Sequence, residues 1–593
     1  MTISARWPDN GGMNSQATAN SAAAPSAPFS TTLQKLRLPP FSLDDGGIAW
    51  VQQTLAQLSP DQKLRQLFNV ALHGEAAPDV ARIAALGVGG VTRFVGPDFE
   101  RSWAVARELV ESSAVPLLLS GDIEGGSIAM PFGTPLPNQL GLAATGAADG
   151  STALADQAVG VLASEARALG YNWSFTPVLD INATHRSAIV ATRSYGSNLN
   201  TILTNAQVNV RAFQQAGIAA TAKHWPGEGF DDRDQHLVTT FNPLSEADWQ
   251  AQFGRLYRGL IGSGVMTVMS AHIAWPAYAK RHGAQGLEAC RPACVSRLLN
   301  ETLLRGELGF NGLIVSDASG MAGLGAWGDR AVVAPEVIAN GCDMLLFPSP
   351  FEADFVHLQR ALDDGRLSQA RVDEAATRVL GLKAALGLHR KSLDELLPPI
   401  ESARKTIREP QHLAVARDAA RASITLVKDV NGLLPLTLPK HRRIVLVTDP
   451  QRGGFAFQQP LPLTLAQGLS AHGFEVRPYD AANPPTPDNT DLVLYLLAQE
   501  SLLAQSHIYL DWMRLHGDLR GAMRRYWHQL PCLLISLGHP YYLYDAPRMP
   551  CVVNAYSAIE PVQQAVLECL LGLQPFTGTS PVDATCGLPD AAY

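Results

Sequence analysis

Eight short apolar runs recur between about residues 50 and 390, and longer stretches with helical periodicity separate them. This alternation predicts parallel strands joined by helices. Eight is also the number of strands that closes a (β/α)8 barrel. The stretches 153–169, 202–215 and 247–261 are each long enough for a helix. The eight predicted strands are 67–72, 87–94, 116–122, 172–180, 218–224, 265–273, 312–317 and 342–347.

A second, shorter alternation follows the first and predicts a smaller α/β/α sandwich after the barrel. Its strand-like runs are 444–448, 492–497, 532–537 and 551–555. A polar, proline-containing segment separates the two alternations and is typical of a linker. The resulting division is a mobile N-terminal extension (1–40), a barrel (41–392), a linker (393–415) and a C-terminal domain (416–593).

The composition argues against several classes of protein. The chain has 46 lysines and arginines against 54 aspartates and glutamates, and no long basic run offers a surface for nucleic acid. The sequence contains no run of about 18 apolar residues, the length needed to cross a membrane, and we expect no secretion signal at its start. Seven dispersed cysteines predict free thiols in a reducing compartment. We therefore expect a cytoplasmic monomer or homodimer, and the absence of nucleotide-binding motifs predicts no cofactor.

Polar residues at the ends of the predicted strands are the first candidates for a functional site. In a (β/α)8 barrel the chemistry takes place at the carboxyl ends of the strands, where the loops begin. The polar residues at these positions are Asp122, Glu124, Asp180, Lys223, His224, His272 and Asp317.

The densest polar cluster runs from Lys223 to His236. Asp234 and His236 are two residues apart, so a turn would let the carboxylate accept a hydrogen bond from the imidazole. The other ring nitrogen could then exchange a proton with a substrate. Polar loops also contain solvated aspartates and histidines without such a role, and for this pair alone that alternative stays open.

The same cluster contains five potential metal ligands. Their spacing matches no standard zinc or calcium arrangement, and Lys223 disfavours a divalent cation nearby. We therefore predict that no metal takes part. The five residues are His224, Glu228, Asp232, Asp234 and His236.

Three further positions suggest a sugar-binding or nucleophilic role. Asp317 ends an apolar strand, where its carboxylate could attack an electrophilic carbon, cap a helix or accept a hydrogen bond. Asp122 lies in a glycine-rich turn and could accept hydrogen bonds from two sugar hydroxyls, whereas Glu124 is interpreted as organising that turn. Arg193 could bind a hydroxyl or carbonyl group or neutralise the acids.

The combination of motifs resembles glycoside hydrolase family 3, specifically its two-domain β-N-acetylglucosaminidase branch, over about residues 50–590. The C-terminal half resembles later landmarks of that branch at 422–428, 538–541 and 575–578. The motifs in the barrel are Asp-x-Glu-Gly-Gly (122–126), Pro-Val-Leu-Asp-Ile (177–181), Arg-Ser-Tyr-Gly (193–196), Lys-His-Trp-Pro-Gly (223–227), Asp-x-His (234–236) and Ile-Val-Ser-Asp (314–317).

The resemblance implies a retaining, exo-acting β-glycosidase that releases terminal β-N-acetylglucosamine through a covalent glycosyl-enzyme. In this reading Asp317 is the nucleophile, and His236, oriented by Asp234, is the acid/base. The substrate would be a small carbohydrate, either an amino-sugar glycoside or a cell-wall fragment. The positions expected to hold the sugar are Asp122, Arg193, Lys223, His224 and His272.

Three departures from the family pattern leave the preferred sugar open. Ser127 stands where arginine is usual, Glu228 where histidine is common, and Ala318 where a second acid often follows the nucleophile. A β-N-acetylglucosaminide phosphorylase is one alternative, because an imidazole does not repel phosphate as a carboxylate would. A β-glucosidase or β-xylosidase is another, and a carbohydrate-binding protein on an inactive barrel is the non-enzymatic one.

Overall fold

A computed structural model describes residues 28–593, except 127, 129, 147–148, 450–459, 502 and 505–506. Ser127 and most of the predicted N-terminal extension lie outside the described residues. The first ten strands in the chain are β1 (Phe68–His73), β2 (Gly90–Phe94), β3 (Leu118–Gly121), β4 (Trp173–Ser174), β5 (Ala219–Trp225), β6 (Thr240–Phe241), β7 (Thr267–Ser270), β8 (Ile273–Ala274), β9 (Leu313–Ala318) and β10 (Met344–Leu346).

Eight of these strands close a parallel barrel in the order β1-β2-β3-β4-β5-β7-β9-β10, with β10 returning to β1. Each falls within or overlaps one of the eight predicted runs, so the predicted barrel is confirmed. The run 265–273 contains β7 and the first residue of β8. The strand β8 pairs with β6 in a separate two-stranded sheet.

Helices surround the barrel, and the predicted helix 247–261 is divided in two because Gln252 adopts φ −107° and ψ −92°, outside the helical region. A π-helix occupies Leu298–Glu307. The α-helices of this part are Pro28–Lys35, Asp45–Gln57, Pro60–Arg65, Ala77–Ala84, Phe99–Glu111, Gln139–Ala144, Ala153–Ala168, Leu199–Gln215, Glu246–Ala251, Phe253–Gly262, Pro276–Arg281, Ala322–Gly325, Arg330–Ala339, Phe351–Asp363 and Gln369–Ala385.

Part of the predicted N-terminal extension is folded. Leu33 and Leu36 are buried, and the helix Pro28–Lys35 contacts the helix Gln369–Ala385 of the barrel. The prediction of a mobile extension reaching residue 40 is therefore wrong for residues 28–40, because apolar side chains three apart face the barrel.

The segment that the sequence marked as a linker is helical. It carries the helices Leu393–Leu396 and Ile400–Thr406 and the start of Pro410–Ser423. Buried Glu165 of the barrel accepts hydrogen bonds from the backbone N–H of Arg408 and from His412 Nδ1, at 2.8 and 2.9 Å. The polar composition of this segment does not predict that it packs on the barrel, because Glu165, the carboxylate that it contacts, lies more than 240 residues earlier in the chain.

The C-terminal part forms the predicted α/β/α sandwich, and its sheet has six strands, of which β11 and β13 are not among the four predicted runs. The order is β11-β16-β15-β14-β12-β13, and only β11 runs antiparallel to its neighbour. The strands are β11 (Thr425–Asp429), β12 (Arg443–Asp449), β13 (Glu475–Pro478), β14 (Leu492–Leu497), β15 (Cys532–Ser536) and β16 (Cys551–Asn554). The remaining helices are Leu438–His441, Leu465–Ala471, Trp512–His516, Leu519–Met523 and Glu560–Leu570.

Alternate residues of β14 supply the cores on the two faces of this sheet. Leu492, Leu494 and Leu496 belong to one buried apolar cluster, while Val493, Tyr495 and Leu497 belong to the other. A continuous apolar run is what a strand covered on both faces requires. No helix among the described residues is long and apolar enough to cross a membrane.

Candidate active site

The carboxyl ends of β3, β5, β7 and β9 bring the predicted polar residues to one mouth of the barrel. Asp122 follows β3, and Lys223 and His224 lie near the end of β5. His272 follows β7, and Asp317 is the penultimate residue of β9. The loop after β4 contributes Asp180 and Arg193, and the loop after β5 contributes the Asp-x-His pair.

Asp317 is a buried carboxylate that stays ionised. It is 8% exposed, and its Oδ1 accepts a hydrogen bond from the backbone N–H of Ala318 at 2.7 Å. Burial raises the pKa of Asp317, but the imidazoles of His224 and His272 and this N–H outweigh it, so the pKa lies below its usual value. Among the described residues Asp317 has no lysine or arginine partner, which leaves the carboxylate available as a nucleophile.

Asp234 orients the ring of His236 as the sequence predicted. His236 Nδ1 lies 2.7 Å from Asp234 Oδ1, which also accepts the backbone N–H of His236 at 2.8 Å. Because a carboxylate only accepts, Nδ1 carries the proton and Nε2 is left for a substrate. The ring is 24% exposed while the Asp234 side chain is buried, so a rigid acid holds an accessible imidazole.

Gln235, which lies between the two residues of this pair, connects their loop to residues that follow β5 and β7. Its Nε2 donates to Glu228 Oε2 at 3.1 Å, and its Oε1 accepts the backbone N–H of His272 at 3.0 Å. The backbone N–H of Ala322 donates to the carbonyl of His236 at 3.0 Å. Since Ala322 follows Asp317 by five residues, the acid/base candidate and the nucleophile candidate are attached to the same segment of chain.

Glu124 forms the centre of a buried ionic cluster. Its carboxylate binds Arg193 in bidentate fashion at 2.8 and 2.9 Å, and Oε1 lies 2.7 Å from Lys223 Nζ. Lys223 Nζ also donates to Asp122 Oδ1 at 2.8 Å. Burial raises the pKa of Glu124, but the two cations prevail and lower it to about 2. Glu124 therefore does more than organise a turn, because it fixes both cations beside Asp122.

Asp180 orients His224 in the same way as Asp234 orients His236. Asp180 Oδ2 lies 2.5 Å from His224 Nδ1, and Oδ1 accepts the backbone N–H groups of His224 and Glu228. Ligand atoms of Asp180, His224 and Glu228 lie within 4.8 Å of one another, close enough for a metal ion. The Asp180 oxygens are already occupied by hydrogen bonds, however, and the prediction that no metal takes part stays a prediction.

Glu228 is a buried acid whose ionisation is opposed by its surroundings. Burial, together with the negative charges of Asp180 and Asp234, raises the pKa of Glu228 well above its usual value. Its Oε2 accepts from Gln235, while its buried Oε1 has no hydrogen-bond partner. At the position where histidine is common in the family, this chain thus has a carboxyl group whose ionisation is disfavoured.

His272 lies beneath the site and offers no ring nitrogen to the pocket. It is fully buried, with Nε2 2.9 Å from the carbonyl of Ala318 and Nδ1 3.1 Å from Cys294 Sγ. Burial lowers the pKa of His272. The expectation that His272 grips the sugar is therefore corrected: its hydrogen bonds support the chain next to Asp317. Position at a strand end could not distinguish the two roles.

Comparisons with known proteins agree with this geometry. The Glycosyl hydrolase family 3 N terminal domain matches residues 59–382. A β-N-acetylglucosaminidase/β-glucosidase of Cellulomonas fimi is 40% identical over 565 residues, which are 92% of this chain and 98% of that protein.

Two solved structures share the whole architecture. The β-glucoside phosphorylase BglX bound to 2FGlc is 33% identical with a TM-score of 0.86, over 94% of this chain and 100% of that one. A family 3 β-N-acetylglucosaminidase from Paenibacillus sp. str. FPU-7 is 25% identical with a TM-score of 0.75, over 90% and 100%. The chain belongs to glycoside hydrolase family 3 and is a glycosidase rather than a binding protein on an inactive barrel.

Removing the charge of Glu124 tests the ionic cluster. In Glu124→Gln two buried cations lose one of their acids, and we expect a loss of about 3–5 kcal/mol in the free energy of unfolding at pH 7. Because the pKa of Glu124 is lowered on folding to about 2, its carboxylate stabilises the folded state above the unfolded-state pKa, and this stabilisation is lost as the pH falls towards 2. The difference in free energy of unfolding between wild type and Glu124→Gln, measured by denaturant titration, should therefore decrease below about pH 4.3. A difference that does not change with pH would contradict an ionised Glu124 in the cluster.

Glu228 offers a matched test of its neutral state. Glu228→Gln keeps an acceptor for Gln235 and stays uncharged, so kcat/KM on an aryl glycoside should remain within about threefold of wild type. Glu228→Ala removes the acceptor that fastens the Asp-x-His loop and should lower kcat/KM by about tenfold or more. A collapse of activity in the glutamine variant would instead show that an ionised Glu228 is required.

Proposed function

We propose that this protein is a retaining, exo-acting β-glycoside hydrolase that releases terminal β-N-acetylglucosamine. The observation that carries the proposal is the pairing at one barrel mouth of a buried, ionised Asp317 with an imidazole oriented by Asp234. The relative from Cellulomonas fimi, named for action on N-acetylglucosaminides and glucosides, supports the sugar class.

The reaction proceeds in two displacements. Asp317 attacks the anomeric carbon and forms a glycosyl ester, while His236, doubly protonated as the imidazolium, gives its Nε2 proton to the departing glycosidic oxygen and keeps the Nδ1 proton hydrogen-bonded to Asp234. In the second step the neutral imidazole takes a proton from water, and the hydroxide oxygen displaces Asp317. One side chain serves both steps because Nε2 of the same ring donates a proton in the first and accepts one in the second.

The ionic cluster is placed to hold the terminal sugar. Asp122 Oδ2 is free of hydrogen bonds among the described residues and can accept from a sugar hydroxyl, while Lys223 can donate. The Nδ1 of His224 is held by Asp180, which leaves its Nε2 able to bind a sugar hydroxyl. Hydroxyl groups bind well to such charged partners because charge-assisted hydrogen bonds are the stronger ones. This arrangement suits the end of a chain rather than an internal sugar.

Phosphorolysis is the second candidate. An imidazole acid/base carries no negative charge in its neutral form, so it does not repel an incoming phosphate dianion as a carboxylate would. The similarity to the β-glucoside phosphorylase BglX over nearly the whole chain favours the same possibility. Hydrolysis and phosphorolysis share the glycosyl-enzyme intermediate and differ only in whether water or phosphate accepts the sugar in the second step.

Two substitutions test the catalytic roles. Asp317→Ala should lower kcat on all substrates by about 10³-fold or more, because it removes the carboxylate that forms the glycosyl ester. His236→Ala should lower kcat/KM by about 10²-fold or more on glycosides with poor leaving groups, but little on dinitrophenyl glycosides, which depart without a proton. Equal losses on both substrate types would remove His236 from the acid/base role.

The acceptor is tested by product analysis with and without inorganic phosphate. A hydrolase releases free N-acetylglucosamine at a rate that phosphate does not change. Formation of the sugar 1-phosphate, with a rate that rises with phosphate concentration, would assign phosphorolysis instead. Parallel assays with aryl glycosides of glucose establish whether the N-acetyl group is required.

A further inference from the structure

We infer that the C-terminal domain positions the catalytic pair, through a backbone hydrogen bond from Ala504 to Asp234. This inference rests on the proposed function, because it concerns His236 as the acid/base. The backbone N–H of Ala504 donates to Asp234 Oδ2 at 2.8 Å. The acceptor is the one carboxylate oxygen that His236 does not use.

Asp234 is therefore held from two sides. On one side Oδ1 accepts two N–H groups of His236, and on the other Oδ2 accepts the N–H of a residue 270 positions later. The side chain of Asp234 is buried, so loss of the Ala504 donor would leave an unpaired oxygen and allow the carboxylate to rotate. Rotation of the carboxylate would turn the ring of His236 away from the leaving group.

The loop that carries Ala504 emerges from the carboxyl end of β14. In open α/β sheets this edge is where functional loops lie. Here the loop is directed onto the barrel, where Ser501 Oγ lies 3.2 Å from Thr192 Oγ1 of the barrel. Thr192 directly precedes Arg193 of the ionic cluster, so the loop contacts the site at two places.

Glu500 anchors this loop between the two domains. Its Oε1 accepts from Ser557 Oγ at 2.9 Å within the C-terminal domain, and its Oε2 accepts from Asn138 Nδ2 of the barrel at 3.2 Å. Gly126 has φ +61°, and a Cβ there would lie 2.7 Å from Glu500 Oε2. Glycine at this position is thus required for the close approach of the carboxylate to the barrel.

Ala504 itself adopts φ +57°, a conformation that residues with a Cβ rarely occupy. Such a backbone is held by its surroundings and is common at functional sites. This backbone conformation and the anchoring of the Glu500 carboxylate together direct the N–H of Ala504 towards Asp234. The second domain then contributes to proton transfer without supplying a side chain to it.

The experiment compares two substitutions at one position in the full-length protein. Ala504→Pro removes the N–H and also imposes a φ of about −65° in place of the positive φ of Ala504, whereas Ala504→Gly keeps the N–H and suits a positive φ. For each, kcat/KM is measured on 4-methylphenyl and 2,4-dinitrophenyl N-acetyl-β-glucosaminides. The proline variant should lose about 10- to 100-fold on the methylphenyl substrate and less than about threefold on the dinitrophenyl one. The glycine variant should keep the substrate ratio of wild type.

Glu500→Gln is the second variant, because proline could prevent the loop from folding. It weakens the anchor at Asn138 and should shift the ratio in the same direction by about three- to tenfold. Cooperative thermal unfolding establishes that each variant is folded. Equal losses on both substrates, or none, in folded Ala504→Pro overturn the inference; if that variant does not fold, an unchanged ratio in folded Glu500→Gln does so.

His236→Ala is measured on the same two substrates, so that failure of the positioning role can be distinguished from failure of the proposed function. If His236→Ala loses activity selectively on the methylphenyl substrate and Ala504→Pro does not, the positioning role fails while the proposed function stands. If His236→Ala shows no selectivity, the acid/base assignment fails instead, and the inference fails with it.

Discussion

The distribution of charge at the barrel mouth is the constraint on which the rest of the site depends. Several acids are buried within one pocket, and each unpaired buried charge is costly. Glu124 and Asp122 share Arg193 and Lys223, while Asp180 and Asp234 each hold a histidine. Asp317 is kept ionised by the surrounding imidazoles rather than by a salt bridge. It therefore retains its charge and remains free to form a bond.

The cost of an unpaired buried charge also explains why carboxylate–imidazole pairs occur twice in the site. In each pair the acid fixes Nδ1 of the ring and leaves Nε2 without a bond to that acid. Asp180 and Asp234 also accept backbone N–H groups, so the loops after β4 and β5 are fastened by the very acids that orient the histidines. Positioning of the loops and orientation of the rings are thus achieved by the same hydrogen bonds.

The sequence predicted the parts of this structure that depend on local patterns. The barrel strands are predicted because most lie in short, mainly apolar runs separated by helical stretches, and the Asp-x-His pair because its two members are close in sequence. Exposed β13 has no such run, with Glu475 and Pro478 at its ends, and it was missed. The role of Glu124 was missed because Arg193 lies 69 residues away, and that of Ala504 because a backbone N–H has no sequence signature.

Glu228 shows why a departure from a family pattern has to be judged by its charge state rather than by residue type. Placing an ionised glutamate next to Asp180 and Asp234 would raise the pKa of every acid nearby and oppose the ionised state of Asp317. Burial and the charges of Asp180 and Asp234 raise the pKa of Glu228 and so oppose its ionisation, and Gln235 donates a hydrogen bond to Glu228 Oε2. The chain can therefore differ from the family here while the pKa of Asp317 stays below its usual value.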